Sequence, residues 1–289
     1  MHEKIIEIIK EETKRLIDSK ITKNFVQRLK FYEILFEMNT SSLSKNVREI
    51  FYISPNVFLN QNVIVTMANN FIKKYNLTYE DLLITASYKG LFCGPIEIYY
   101  SDYSTKMTGI LIPELKNVIK ITTSYKNVLI IEKESFFTFL IELNKKNDFI
   151  KNTILITGKG YPCVNTRKFL SFLCVNFYGI FDFDPYGLHI YSVYKYGSAI
   201  NKDLKILTLK RIGISSTDVF KYKINENETI PLNCHDYKKI EYLYKINEPD
   251  MVVDLDFLKG YSRKMEIEIF CLREEYFIIN YLKEKISNL

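Results

Sequence analysis

Little in this sequence marks a flexible, secreted or membrane-bound chain. Proline and glycine are scarce, 7 and 10 in 289 residues, which leaves little room for a long disordered linker. The five cysteines (Cys93, Cys163, Cys174, Cys234 and Cys271) are scattered and include no C-x-x-C pair. That argues against a disulfide framework or a zinc knuckle, and for a reducing compartment. No apolar run is long enough to cross a bilayer, and the opening MHEKIIEIIKEETKRL is charged throughout. It therefore reads as neither a signal peptide nor a membrane span. Internal repeats and low-complexity segments are also lacking. The segment Thr157-Gly158-Lys159-Gly160 falls short of a phosphate loop, which needs Gly, four residues, then Gly-Lys-Ser/Thr; no nucleoside triphosphatase is expected.

What is there fits a globular protein. Hydrophobic residues make up 47% and charged residues 26%, and the length suits one large or two modest domains. The formal net charge of +6 permits a polyanionic partner without demanding one.

The pattern of apolar residues divides the chain into a helical first part and an alternating strand–helix second part. Helical spacing places Ile6, Ile9, Thr13 and Leu16 on one face of a helix over 4–17, and Phe25, Leu29, Tyr32 and Phe36 on one face over 22–38. A short helix over 44–52 stops before Ser54-Pro55, where a new helix starts with Ser54 as its cap. Its stripe is Phe58, Val65, Ala68, Ile72 and Tyr75, and it ends at Asn76. Short strands follow at 82–87, 95–100 and 109–113. Helices followed by a small hairpin sheet outline a winged-helix domain. From about residue 126 the rhythm changes. Strands at 127–132, 153–157, 179–184 and 205–209 alternate with helices at 134–147, 165–177 and 187–196, and a long last helix spans 262–287. This spacing implies βαβ units and a parallel sheet covered on both faces. The expected fold class is multi-domain α/β.

In an open parallel sheet, ligands collect at the carboxyl ends of the strands. Glu132 closes one such strand, and Asp182 and Asp184 close another in the run FDFDPYG. Alternation points the two aspartates to one side. Magnesium takes hard oxygen ligands, commonly one or two carboxylates plus phosphate oxygens, so these three acids are candidate metal ligands. Read singly, each is as well explained as a strand-end polar residue or a helix cap. The Asp-x-Asp also resembles that of phosphatases with an aspartyl nucleophile, but Pro185-Tyr186 stands where those need a small hydroxyl or aliphatic residue. Lys89, Lys159 and Arg167 are candidate contacts to DNA phosphates, with plain solvated surface as the competing reading for the last two.

Of 22 tyrosines, most are packing residues. Tyr52 has particular neighbours. Arg48 precedes it by four residues, so the two share a helix face, and a helix N-terminus at Ser54-Pro55, which favours anions, follows it. A phenol is largely un-ionised at neutral pH and needs such help to act as a nucleophile.

The segments VREIFY (47–52), YKGLFCG (88–94), VLIIEKESFF (128–137), TGKGYPCVNTRKFL (157–170), FDFDPYGLHIYSVYKYGS (181–198) and RIGISSTD (211–218) stand in an order and spacing that resembles the meiotic double-strand-break transesterases, eukaryotic relatives of the topoisomerase VI (type IIB topoisomerase) A subunit. The tail 262–272 is a looser match. The resemblance implies a partner-docking helix at 1–20, a winged-helix domain at 21–120 carrying a catalytic tyrosine, and a Toprim metal-binding domain at 121–289 with a helical extension. The tyrosine falls on Tyr52, its associated arginine on Arg48, and the Mg2+ ligands on Glu132, Asp182 and Asp184. Cys163 and Tyr186 depart from the family pattern, which commonly has Asp and His there. The implied activity is cleavage of double-stranded DNA by a homodimer, in the nucleus. The implied partners are accessory meiotic proteins and a topoisomerase VI B-like subunit. The other readings are a DNA-binding scaffold without catalysis and a resealing, ATP-dependent topoisomerase subunit.

Overall fold

The computed structural model describes residues 2–22, 24–85, 88–198, 203–246 and 248–286. It divides into two compact units, Met1–Ser87 and Tyr88–Leu289.

The first unit is built on helices α1 (His2–Ile17), α2 (Phe25–Ser41), α3 (Val47–Ile53), α4 (Pro55–Phe58) and α5 (Gln61–Tyr75). Two short strands, β1 (Lys45–Asn46) and β2 (Ile84–Thr85), pair in parallel. On α1 the buried face is Ile5, Ile9, Glu12 and Leu16, a turn of the stripe away from Ile6 and Thr13. Glu12 is tolerated there because the Lys74 ammonium and the Arg15 guanidinium bind its carboxylate at 2.8 and 2.9 Å. Those bonds outweigh the burial that opposes ionisation, and hold the carboxyl down at about 2. Helix α2 is apolar on more than one side. Of the predicted row it buries Tyr32, alongside Phe31, Ile34, Leu35 and Met38, and leaves Phe36 exposed. The single helix predicted after Ser54 is two. Leu59 adopts a positive φ of 64°, and Asn60 then caps α5 by accepting the Val63 N–H. Ser54 makes no side-chain cap bond, and α4 is one turn long. Asn76 ends α5 in the left-handed conformation, as its position in the sequence implies.

The second unit contains β3 (Leu91–Tyr99), β4 (Ser104–Leu111), β5 (Lys120–Thr122), β6 (Asn127–Ile131), α6 (Glu134–Asn147), β7 (Thr153–Thr157), α7 (Val164–Ser171), β8 (Asn176–Ile180), α8 (Pro185–Tyr196), β9 (Lys210–Gly213), α9 (Ser216–Lys221), β10 (Ile230–Pro231), α10 (Cys234–Tyr244), α11 (Pro249–Tyr261), β11 (Arg263–Lys264) and α12 (Glu275–Lys285). The main sheet runs β4-β3-β7-β6-β8-β9, with β5 also on β3. Strands β6, β7, β8 and β9 are parallel to their neighbours, and β3 is antiparallel to β7. The parallel α/β core is therefore as expected, and β6 lies inside it with all five residues buried.

Four segments differ from the sequence reading. The β3–β4 hairpin, expected as the wing of the first domain, hydrogen-bonds through β3 to β7 and so extends the sheet of the second unit. Its register shifts between Cys93 and Ile96. There Gly94 takes a φ of 139° and Pro95, without an N–H, breaks the ladder, both features of a bulge. The strand expected at 82–87 reduces to β2, and residues 86–87 lie outside the described ones. The apolar run at 205–209 is not a strand; β9 begins one residue later. The long helix expected over 262–287 is instead β11, a 3-10 turn at Ile267–Leu272 and α12; residue 287 lies outside the described residues. No described helix is long and apolar enough to cross a membrane.

Because Ile130 is fully buried at the centre of β6, truncating it leaves a cavity the neighbouring strands cannot close. Ile130→Ala is expected to lower the unfolding free energy by about 2–5 kcal/mol, read from urea denaturation. A loss comparable to that of an exposed substitution would mean that β6 is not the core strand.

Candidate functional site

Each unit carries one part of the candidate chemistry. In the first, α3 starts with a reciprocal capping box: Asn46 accepts the Glu49 N–H and the Glu49 carboxylate accepts the Asn46 N–H. Ile50 anchors the helix in the core. Tyr52, near its end, is 59% exposed. The Arg48 guanidinium lies 5.7 Å from the centre of its ring, and Phe51 meets the ring edge-on at 5.5 Å. The expected pairing of Tyr52 with Arg48 on one helix face is present, and the phenol is open to a substrate.

In the second unit, Glu132 follows β6 directly and every polar group of its backbone is bound. Its N–H donates to the Ile180 carbonyl, and its carbonyl accepts from the Gly160 N–H and the Thr157 hydroxyl. Its carboxylate Oε2 accepts the Asp182 N–H at 2.9 Å. The glycine-rich turn thus serves to hold Glu132. After β8 ends, Phe181 and Phe183 are buried in the core while Asp182 and Asp184 alternate with them. Asp182 Oδ1 accepts the Ile267 N–H at 2.8 Å, and its Oδ2 pairs with the Lys133 ammonium at 3.1 Å. Lys133 also reaches Glu268 at 2.7 Å and Glu266 at 3.3 Å. Asp184 caps α8, accepting the Gly187 N–H at 2.6 Å, with Pro185 in the first helical position. Gly187 is required here, since a Cβ would lie 2.3 Å from the Asp182 carbonyl and 3.0 Å from Glu132 Oε2.

Burial pushes all three carboxyl groups up from their ordinary range, and neighbouring acids push further: Asp182 and Asp184 act on Glu132, Asp184 on Asp182, and Asp236 on Asp184. For Glu132 the charges of Asp182 and Asp184 add to burial; for Asp182 the Lys133 ammonium and the Ile267 N–H offset part of it. The three therefore lie close enough to feel one another. Among the described residues, however, no group of three or more His, Cys, Asp or Glu side chains is placed to share one metal ion, and both Asp182 oxygens already have protein partners. The donor chemistry still suits magnesium, which needs only one or two protein carboxylates and takes water and phosphate for the rest. Two buried acids that cannot both ionise cheaply are also a place where a cation is favoured.

The predicted DNA contacts are placed unequally. The Lys89 ammonium donates to the Lys159 carbonyl at 3.1 Å, and burial lowers its pKa. Lys159, at a positive φ of 54°, pairs with Glu134 at 2.8 Å. Arg167 is only 5% exposed and turns inward to the Ser198 hydroxyl and the Leu204 carbonyl, away from the surface role considered for it. Cys163 is the residue before α7. Burial opposes its ionisation, but bonds from Thr166 and from the N–H groups of Lys89 and Gly90 hold the thiol below its ordinary value. Lys133, Gly187 and the tail at 266–268 escaped the sequence reading. Lys133 adjoins a candidate acid and could have been found from that, whereas nothing local in the sequence signals the tail.

The carboxyl shifts have a pH consequence with a definite sign. Between the unfolded carboxyl pKa of about 4 and the raised folded values, the native chain binds more protons than the unfolded one, so stability falls as pH rises through neutrality. Thermal melts in chelator should show this decline, Glu132→Gln should flatten it, and magnesium should restore stability at the alkaline end in the parent only. A parent curve already flat in chelator would contradict the electrostatics described.

Residues 127–286 match the family model for the Toprim domain of the topoisomerase 6 A-subunit/Spo11 proteins. The chain is 30% identical over 281 residues to a probable meiosis-specific protein SPO11 homolog of Encephalitozoon cuniculi, covering 92% of this chain and 91% of the relative. It is 32% identical over 234 residues to the meiotic recombination protein rec12 of Schizosaccharomyces pombe, covering 76% and 66%. It is 26% identical over 305 residues to the meiotic recombination protein SPO11 of Homo sapiens, covering 98% and 76%. The match takes in β6 and the acid-bearing strand ends as well as the tail that binds Asp182, and on this extent the chain belongs to the topoisomerase 6 A-subunit/Spo11 family.

Proposed function

We propose that this chain is a DNA-cleaving transesterase that makes meiotic double-strand breaks with Tyr52 as its nucleophile. The observation that carries this is an exposed phenol beside an arginine on α3, in a chain whose other unit gathers buried carboxylates at the ends of parallel strands. The Tyr52 hydroxyl oxygen attacks a backbone phosphorus. The phenol gives up its proton, the bond from phosphorus to the 3′ oxygen breaks, and the departing 3′ oxygen takes up a proton, leaving a 5′-phosphotyrosyl link and a 3′ hydroxyl. One phosphate ester replaces another, so no nucleotide is consumed. Arg48 stabilises the charge that develops on the phosphate, as a preorganised cation near a transition state does. Glu132, Asp182 and Asp184 are the residues that would hold Mg2+, which when bound supplies charge neutralisation at the phosphate. Lys133 favours the ionised form of Asp182 and orients it, and Gly187 lets the chain close around Glu132. Lys89 and Lys159 steady the glycine-rich turn and add positive charge for the DNA backbone; Arg167 supports α7 from within.

One tyrosine cuts one strand, so a double-strand break needs two copies of the chain. We place the working unit as a homodimer in which the phenol of one protomer acts with the carboxylates of its partner. It works in the nucleus, on chromosomal DNA, together with accessory meiotic proteins and a topoisomerase VI B-like subunit.

A covalent protein–DNA adduct, trapped by denaturant and freed by protease, is the direct test. The adduct is expected to vanish in Tyr52→Phe with DNA binding retained, and to form about 10²–10³-fold more slowly in Arg48→Ala. An undiminished adduct in Tyr52→Phe would move the nucleophile elsewhere. Mixing Tyr52→Phe chains with Glu132→Gln chains tests the shared site. A site split between protomers leaves one intact pair in each mixed dimer and restores single-strand nicks. Sites confined to one chain would leave the mixture inert.

A further inference from the structure

Outside the carboxylates, one polar cluster in the second unit has donors that the protein does not fully use. Tyr161 lies just after the glycine-rich turn, Tyr186 and His189 are on α8, and Lys239 and Tyr242 are on α10. The Tyr161 hydroxyl and the Lys239 ammonium each sit 2.7 Å from the same atom, His189 Nδ1. An ammonium can only donate, so Nδ1 accepts, and a neutral imidazole nitrogen has a single lone pair to offer. One acceptor therefore faces two donors. Burial and the nearby Lys239 charge keep the ring neutral, lowering its pKa to about 4. Lys239 is half-buried and, among the described residues, forms no ion pair. Its ammonium lies 4.9 Å from the centre of the Tyr242 ring and 5.8 Å from that of Tyr186. Both rings and Tyr161 reach the surface. The cluster also borders the acidic site: the charges of Asp184 and Glu132 add to burial in raising the Tyr161 hydroxyl, and Asp184 caps the helix that carries His189.

A desolvated cation without a counter-ion, next to a hydroxyl that competes with it for one lone pair, is suited to an anionic oxygen from outside. We propose that Tyr161, His189 and Lys239 form a phosphate-binding site for the DNA backbone next to the carboxylates, walled by Tyr186 and Tyr242. An incoming phosphate oxygen takes the proton donor that His189 cannot satisfy and gives Lys239 its missing counter-charge. The site holds the strand beside the cut phosphate in register, because phosphate contacts position a duplex without reading its sequence. This rests on the reading of the chain as a DNA-cutting enzyme.

The test uses full-length protein carrying Tyr52→Phe, so that DNA is bound and not cut, and measures duplex affinity over a salt series at fixed magnesium. Lys239→Gln should weaken binding to unrelated sequences alike, and flatten the slope of log affinity against log salt by about 1, one phosphate contact. Tyr161→Phe should weaken binding severalfold with the slope unchanged. Lys283→Gln on α12, the same charge change at an exposed position, should leave the slope as in the parent. An unchanged slope in Lys239→Gln, or an equal loss in Lys283→Gln, overturns the phosphate site while the DNA-cutting reading stands. A parent that binds no duplex overturns both.

Discussion

Two carboxylates that repel each other are buried at the ends of neighbouring parallel strands, and much of the second unit exists to hold them there. Desolvating one such group is unfavourable, and desolvating two beside each other more so. The fold answers with backbone N–H groups. Asp182 donates one to Glu132, Ile267 one to Asp182 and Gly187 one to Asp184. Lys133 adds a full positive charge directly against Asp182. Each donor is fixed by an element whose position would otherwise be unconstrained. This is why α8 begins at Asp184 and why residue 187 has no side chain. It is also why the chain, after three further helices, returns so that Met265 can bridge to Phe183 beside the acids.

This places the helical extension inside the site. The tail at 263–272 provides the N–H for Asp182, and Glu266 and Glu268 set the position of Lys133. A lysine shared among three carboxylates is a balanced element. If it moved wholly to the glutamates, Asp182 would lose its cation and take up a proton more readily. If it stayed on Asp182, the aspartate would remain ionised but partly screened from an incoming metal.

Sequence reasoning reached the parallel core because β6 and β7 are continuous apolar runs bounded by polar residues, and α6 lies between them with an unbroken helical period. It reached the acids because each follows such a run at the end where ligands collect. It failed where more than one face of a segment is apolar, as in α2, so that period alone did not choose the buried side. It failed again after residue 205. There the strand KILTL and the long last helix had plausible local patterns, but tertiary pairing selected β9, β11 and α12 instead. The placement of the β3–β4 hairpin against β7 depends on partners more than 50 residues apart, which no local pattern encodes. Arg167 looked like surface charge for the same reason: its partners at 198 and 204 are distant in sequence.

In the proposed reaction Tyr52 and the acids make opposite demands on their surroundings, and they lie on different units of the chain. Glu132 and Asp182 are buried and held by backbone N–H groups at the ends of β6 and β8. In the proposed role the phenol reaches a phosphorus atom and then carries a DNA end, which a packed side chain cannot do. Tyr52 is accordingly more than half exposed, near the end of a seven-residue helix. What precision it has comes from behind: the Asn46–Glu49 capping box sets where α3 begins, Ile50 ties it to the core, and Arg48 and Phe51 bracket the ring. With the two on separate units, the burial of the acids and the exposure of the phenol are set by different local contacts.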